Sequence, residues 1–150
     1  MTKSKIAFAC YGTAILIIAA IALTYLFTPR LLPYQEVAVG APWDQLSVGL
    51  QTQFLSLLKV AGGGYLATAV ALFVLLWIPF RQGDRWARTA IPALGIPAVL
   101  IVNYAGLTIM LNTPGKPPLI AGPMVILLMI AGYVLSADSH RRPQNSSIEF

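Results

Sequence analysis

The sequence predicts an all-α membrane protein: a four-helix transmembrane bundle with both termini cytoplasmic and a structured extracytoplasmic loop between helices 1 and 2. Three observations lead there. The 150 residues are 57% hydrophobic and 10% charged, with mean hydropathy +0.75, whereas soluble domains average about 25% charged residues. Four apolar runs, about 6–28, 54–80, 87–111 and 119–136, are each close to the roughly 20 residues that cross a bilayer core at about 1.5 Å per residue. The cations are also unevenly distributed between the two sides that four spans would create. Lys3, Lys5, Arg81, Arg85, Arg88, Arg141 and Arg142 fall on one side, against Arg30, Lys116 and the marginal Lys59 on the other. That is the positive-inside pattern.

The first run follows the basic start MTKSK and ends at Thr28-Pro29-Arg30. It is longer than the apolar core of a signal peptide, so an uncleaved span is expected. Residues 29–53 form the longest loop. Pro29, Pro33, Pro42, Gly40 and Gly49 argue against a continuous helix before Trp43. From Pro42 a short helix is expected, with Asp44 complementing its positive end and Trp43, Leu46 and Leu50 on one apolar face. Tyr34 and Trp43 have the amphipathic rings favoured at a membrane boundary.

The second run, Phe54 to Phe80, organises the chain because it contains both a lysine and a glycine triplet. Lys59 sits one to two turns inside its outer end, where a charge is costly. Gly63, Ala67 and Ala71 recur every four residues as a small-residue face, which lets another helix approach closely. A basic turn, RQGDRWAR at 81–88, leads into the third run. Pro92 and Pro97 lie inside that run and predict a kink or local distortion. The stiff turn NTPGKPP precedes the fourth run. Residues 1–136 are thus one transmembrane domain, and 137–150 are a polar cytoplasmic tail.

Several chemistries are excluded. Cys10 is the only cysteine and His140 the only histidine, so an intramolecular disulfide, a CxxC pair, bis-histidine haem ligation within one chain and a multi-histidine metal site are all ruled out. Glu36, Asp44, Asp84, Asp138 and Glu149 are the only carboxylates, and none lies in a span. That argues against a proton-coupled carrier built on an intramembrane acid. No nucleophile–base arrangement is evident, no basic stripe suggests nucleic acid, and Gly62-Gly63-Gly64 is no phosphate loop. Catalysis, a cofactor and a metal are therefore not expected.

The polar residues that enter the spans define a candidate ligand site: Glu36, Lys59, Tyr65, Asn103 and Tyr104. Glu36 folded back onto Lys59 would make a polar floor, and Asn103 would lie roughly 12 Å deep, about one turn below Lys59. Against this stand simpler roles, with Lys59 snorkelling to the headgroups and Asn103 making an interhelical hydrogen bond. The function expected first is a small accessory or scaffold subunit of a membrane complex, assembling through the Gly63, Ala67, Ala71 face. The alternative is a binder of a lipid or small apolar or anionic molecule in an outward-facing pocket near Lys59 and Asn103. A third reading is an oligomeric pore or carrier. Expected partners are membrane lipids and either a membrane protein or further copies of the chain, in a bacterial inner membrane.

Overall fold

In a computed structural model, residues 3–139 are described, with the side chains of 138 and 139 left aside. The tail residues His140, Arg141, Arg142 and Glu149 lie outside the described residues. The described chain is all-helical. It comprises α1 (Lys3–Phe27), α2 (Pro33–Val39), α3 (Val48–Leu75, running into a π turn at Leu76–Phe80), α4 (Arg85–Asn112) and α5 (Ala121–Ser139). Three helical stretches, Lys3–Phe27, Val48–Phe80 and Arg85–Asn112, are long and apolar enough to cross a membrane, while Ala121–Ala137 is a shorter apolar helix.

The helix ends follow local chemistry. α2 replaces what the prolines and glycines of 29–53 suggest is irregular chain. Pro33 occupies its first turn, Gln35 Oε1 accepts from the Leu32 N–H at 2.9 Å, and Gly40 stops the helix at φ 77°. Proline at the start and a left-handed glycine at the end bracket a helix rather than forbid one. The helix expected from Pro42 is only a three-residue 3-10 turn, Trp43–Gln45. α3 then begins at Val48, capped by Ser47, whose Oγ accepts from the Leu50 N–H.

α4 is helical through both Pro92 and Pro97. A departure from α geometry lies at Leu76–Phe80, around Pro79. Proline lacks the N–H for the ladder and its ring crowds the preceding turn, and one widened turn relieves both.

α1 packs most extensively along α3 and α5, and α4 packs along α5 and, less extensively, α3. The four long helices therefore surround one core. Tyr11, Ile15 and Ile18 of α1 meet Leu72 of α3, Leu76 of the π turn, Ile91 and Val99 of α4, and Val125 and Met129 of α5. At the end bearing the 81–84 turn, the Tyr11 hydroxyl donates to the Arg88 carbonyl at 3.1 Å, and the Arg88 guanidinium lies 4.5 Å from the Tyr133 ring centre. At the other end α2 rests on the 113–118 turn, where a side chain at Gly115 would meet the Tyr34 carbonyl and the Ala38 methyl.

The glycine triplet of α3 is divided by this packing. Gly62 faces α1, and a Cβ there would lie 2.9 Å from the Ala22 carbonyl oxygen and the Leu26 amide nitrogen. Gly63 and Gly64 face open space. Ala67 and Ala71 are exposed. The close approach within this chain is made by Gly62, and the Gly63, Ala67, Ala71 face points away from it.

Candidate functional site

Above the core, toward α2, the helices enclose an apolar cavity of about 640 Å³. That is within the range of small-molecule sites, roughly 300–1,000 Å³. Its floor is Ile18, Val99 and Val125, which also belong to the core. α4 contributes Asn103 and Gly106, the 117–120 segment and the start of α5 form a further wall, and α3 offers only Ala61 and Tyr65. Leu32, Tyr34 and Gln35, at the start of α2, close the top.

No charged side chain lines the cavity among the described residues. Its polarity comes from amide and phenol groups. Asn103 Nδ2 donates to its own helix at the Val99 carbonyl, 2.9 Å away. That bond leaves Oδ1 as an acceptor with no protein partner among the described residues. The amide is seated against Gly122 on α5, and its atoms occupy the place where a Cβ would stand. Only glycine permits this approach.

Three tyrosines cluster at the mouth. The Tyr25 and Tyr34 hydroxyls are 3.3 Å apart, and the Tyr25 and Tyr65 rings lie 6.3 Å apart, tilted at 57°. The Tyr25–Tyr34 bond ties α2 to α1. Burial, reinforced by that hydrogen bond, pushes the Tyr34 phenol above its ordinary range, so it is neutral at physiological pH. The Tyr65 hydroxyl makes no hydrogen bond among the described residues and is available to a ligand. The site therefore offers both donors and acceptors but no net charge.

The residues read from the sequence separate into two groups. Tyr65 and Asn103 meet in the cavity. Lys59 is exposed, Tyr104 is 73% exposed, and neither lines the cavity. Glu36 is half-buried in α2, and no ion pair joins it to Lys59 among the described residues. Lys59 instead shares the outward stripe of Gly63 and Ala67, where its stem can lie along apolar surface while the ammonium reaches water.

Tyr25, Tyr34 and Gln35 are site residues that the span pattern does not reveal. For Tyr34 and Gln35 the signal is the Pro33-to-Gly40 bracketing, which turns loop residues into ones on a docked helix, whereas Tyr25 lies in α1 and only packing shows that it faces the cavity. Among the described residues no group of three His, Cys, Asp or Glu side chains could hold a metal ion.

Comparison with known proteins finds no matching family model, no matching curated protein and no matching solved structure. The functional reading therefore rests on the chemistry of the cavity.

Proposed function

We propose that this is a four-span protein of a bacterial inner membrane, with both ends cytoplasmic, that binds one uncharged amphiphilic molecule in the cavity beneath α2. The excess of Lys and Arg on the terminal side supports the orientation. In it α2 lies at the extracytoplasmic surface and the cavity occupies the outer half of the bundle. α5 is shorter than its neighbours but, at 17 described apolar residues, reaches about 26 Å, enough to span with a small local thinning.

The observation that supports binding is the cavity itself: apolar walls with a few convergent polar groups and no charge. The apolar part of a ligand would lie against Ile18, Val102 and Val125. A hydroxyl or carbonyl head would meet Asn103 Oδ1, Tyr65 and the Tyr25–Tyr34 pair. An ionised headgroup finds no counter-charge there and would bear the desolvation cost alone. The ligand class is thus a neutral lipid or isoprenoid-like molecule with a small hydrogen-bonding head, rather than an anion held by Lys59.

Native mass spectrometry of the chain extracted gently from its own membrane tests this. One discrete adduct of neutral-lipid mass per chain is expected. A bare chain under conditions that preserve adducts on other membrane proteins would refute it.

A second reading draws on the outward stripe of Gly63, Ala67 and Ala71, which no helix covers among the described residues. Such a stripe suits a partner helix of an accessory-subunit assembly. The two readings are compatible, since the stripe and the cavity use different faces of α3. A pore through one chain draws no support, because fully buried Tyr11, Leu72, Ile91 and Met129 fill the axis below the cavity.

A further inference from the structure

A second recess lies at the opposite end of the bundle, between the start of α1 and the π turn that ends α3. It has a volume of about 410 Å³ and is lined by Ser4, Lys5, Phe8, Trp77, Phe80 and Arg81. The geometry points to a site for an anionic phospholipid, its phosphate held by Lys5 and Arg81 and an acyl chain lying along Phe8 and Trp77. This inference rests on the chain's residence in a membrane and does not involve the cavity beneath α2.

Three features support it. The first is charge: Lys5 and Arg81 form no ion pair among the described residues, so two cations from different helices face one recess without a protein anion. The second is preorganisation. The Arg81 guanidinium lies 4.4 Å from the centre of the Trp77 ring. A cation held over a ring face is fixed in place yet keeps its N–H edges free for a phosphate.

The third is the shape of the apolar wall. Phe73 stacks on Trp77 at 5.7 Å, Phe8 lies 6.3 Å from Trp77 and 6.5 Å from Phe80, and Tyr11 meets Phe80 edge-on at 5.4 Å. The widened turn at Leu76–Phe80 contains both Trp77 and Phe80, and it presents them together with Arg81 to the same recess. Trp77 is half exposed, as an interfacial ring beside a lipid should be. The recess combines cation and apolar chain surface, the pairing an anionic phospholipid requires.

The test uses the full chain in detergent, offered phosphatidylglycerol or phosphatidylcholine with identical acyl chains, read by native mass spectrometry. Phosphatidylglycerol is expected to be retained about tenfold better, and Lys5→Gln with Arg81→Gln to remove that preference. Arg85→Gln with Lys116→Gln, the same change in net charge elsewhere, should leave it intact, as should Asn103→Leu in the other cavity. Circular dichroism checks that the variants keep their helix content. Lys5→Arg, which preserves the charge, should keep the preference and guards against a folding defect. Three results would each overturn the proposal: a preference that survives the Lys5/Arg81 pair, equal loss in the Arg85/Lys116 pair, or equal retention of soluble glycerol phosphate.

Discussion

Asn103 on α4 packs its amide against Gly122 on α5, and that contact fixes the wall of the cavity beneath α2. The amide is anchored from behind by its bond to the Val99 carbonyl. It can move only by giving up that bond. A methyl group at Gly122 forces this choice. Gly122→Ala is expected to lower stability by about 1–3 kcal/mol, the usual cost of overpacking, and to weaken ligand retention. Asn103→Ala in the same chain should recover part of the stability but none of the retention. Unfolding in detergent with a double-mutant cycle measures the first, and native mass spectrometry measures the second.

The glycine triplet gives a sharper contrast. Gly62→Ala places a methyl against the backbone of α1 at Ala22 and Leu26 and is expected to destabilise the α1–α3 pair by about 1–3 kcal/mol. Gly63→Ala, facing open space, should be neutral or stabilising by up to about 1 kcal/mol, because alanine loses less backbone entropy in a helix. Thermal unfolding of the two variants side by side distinguishes them. If association through the outward stripe matters, Gly63→Leu will reduce it while leaving the single chain folded.

Lys59 and Tyr65 are expected to behave differently although they lie in the same helix. Lys59→Leu, at an exposed position outside the cavity, should leave retention of a neutral ligand within about twofold, since a surface substitution away from the site usually shifts free energies by no more than about 0.5 kcal/mol. Tyr65→Leu removes a hydroxyl and a ring from the wall and should weaken retention about tenfold, as expected for a lost hydrogen bond plus packing. Competition between wild type and variant for a limiting amount of co-purified lipid reads the ratio.

The docking of α2 should depend on pH in one direction only. The Tyr34 phenol is raised above its ordinary value by burial and by its bond to Tyr25. A group raised in the folded state contributes stability that is complete below the unfolded value, about 10 for tyrosine, and lost as pH rises through the folded one. Docking should therefore be flat across the physiological range and loosen only above about pH 10. A fluorophore at Val37→Cys, in a Cys10→Ser background, reports α2 mobility by anisotropy. Tyr34→Phe should loosen α2 at neutral pH, by the roughly 0.5–1.5 kcal/mol of one hydrogen bond, and flatten the alkaline response.

The helical, apolar character of the chain was legible in sequence because length and hydropathy report it directly, and the three long helices lie where the runs predict. The site was only half legible. Tyr65 and Asn103 stand out as polar groups inside apolar runs, and both line the cavity. Lys59 stands out for the same reason, yet depth along a helix does not say which face a residue occupies. Four long helices in a ring give each residue a rotational setting that only packing determines. That setting turns Gly62 inward and Gly63 outward, and leaves Tyr104 exposed beside a cavity-lining Asn103.

The helix α2 is hidden in the sequence for a different reason. Pro33 and Gly40 are helix breakers when counted and helix boundaries when their positions are read. The π turn is not legible because Pro79 lies near the end of its run, where a proline is equally compatible with a helix that simply stops. In both cases the residue type was visible and its structural consequence was set by its neighbours.

The most direct test of the binding claim is photo-crosslinking in native membranes with a neutral diacylglycerol bearing a diazirine on its acyl chain, followed by peptide mapping. Labelling concentrated on residues 98–109 and 121–125, and reduced when Ala61→Trp fills the cavity, is the predicted result. Labelling spread over exposed apolar positions such as Leu16, Phe27 and Leu127, and unchanged by Ala61→Trp, would contradict it.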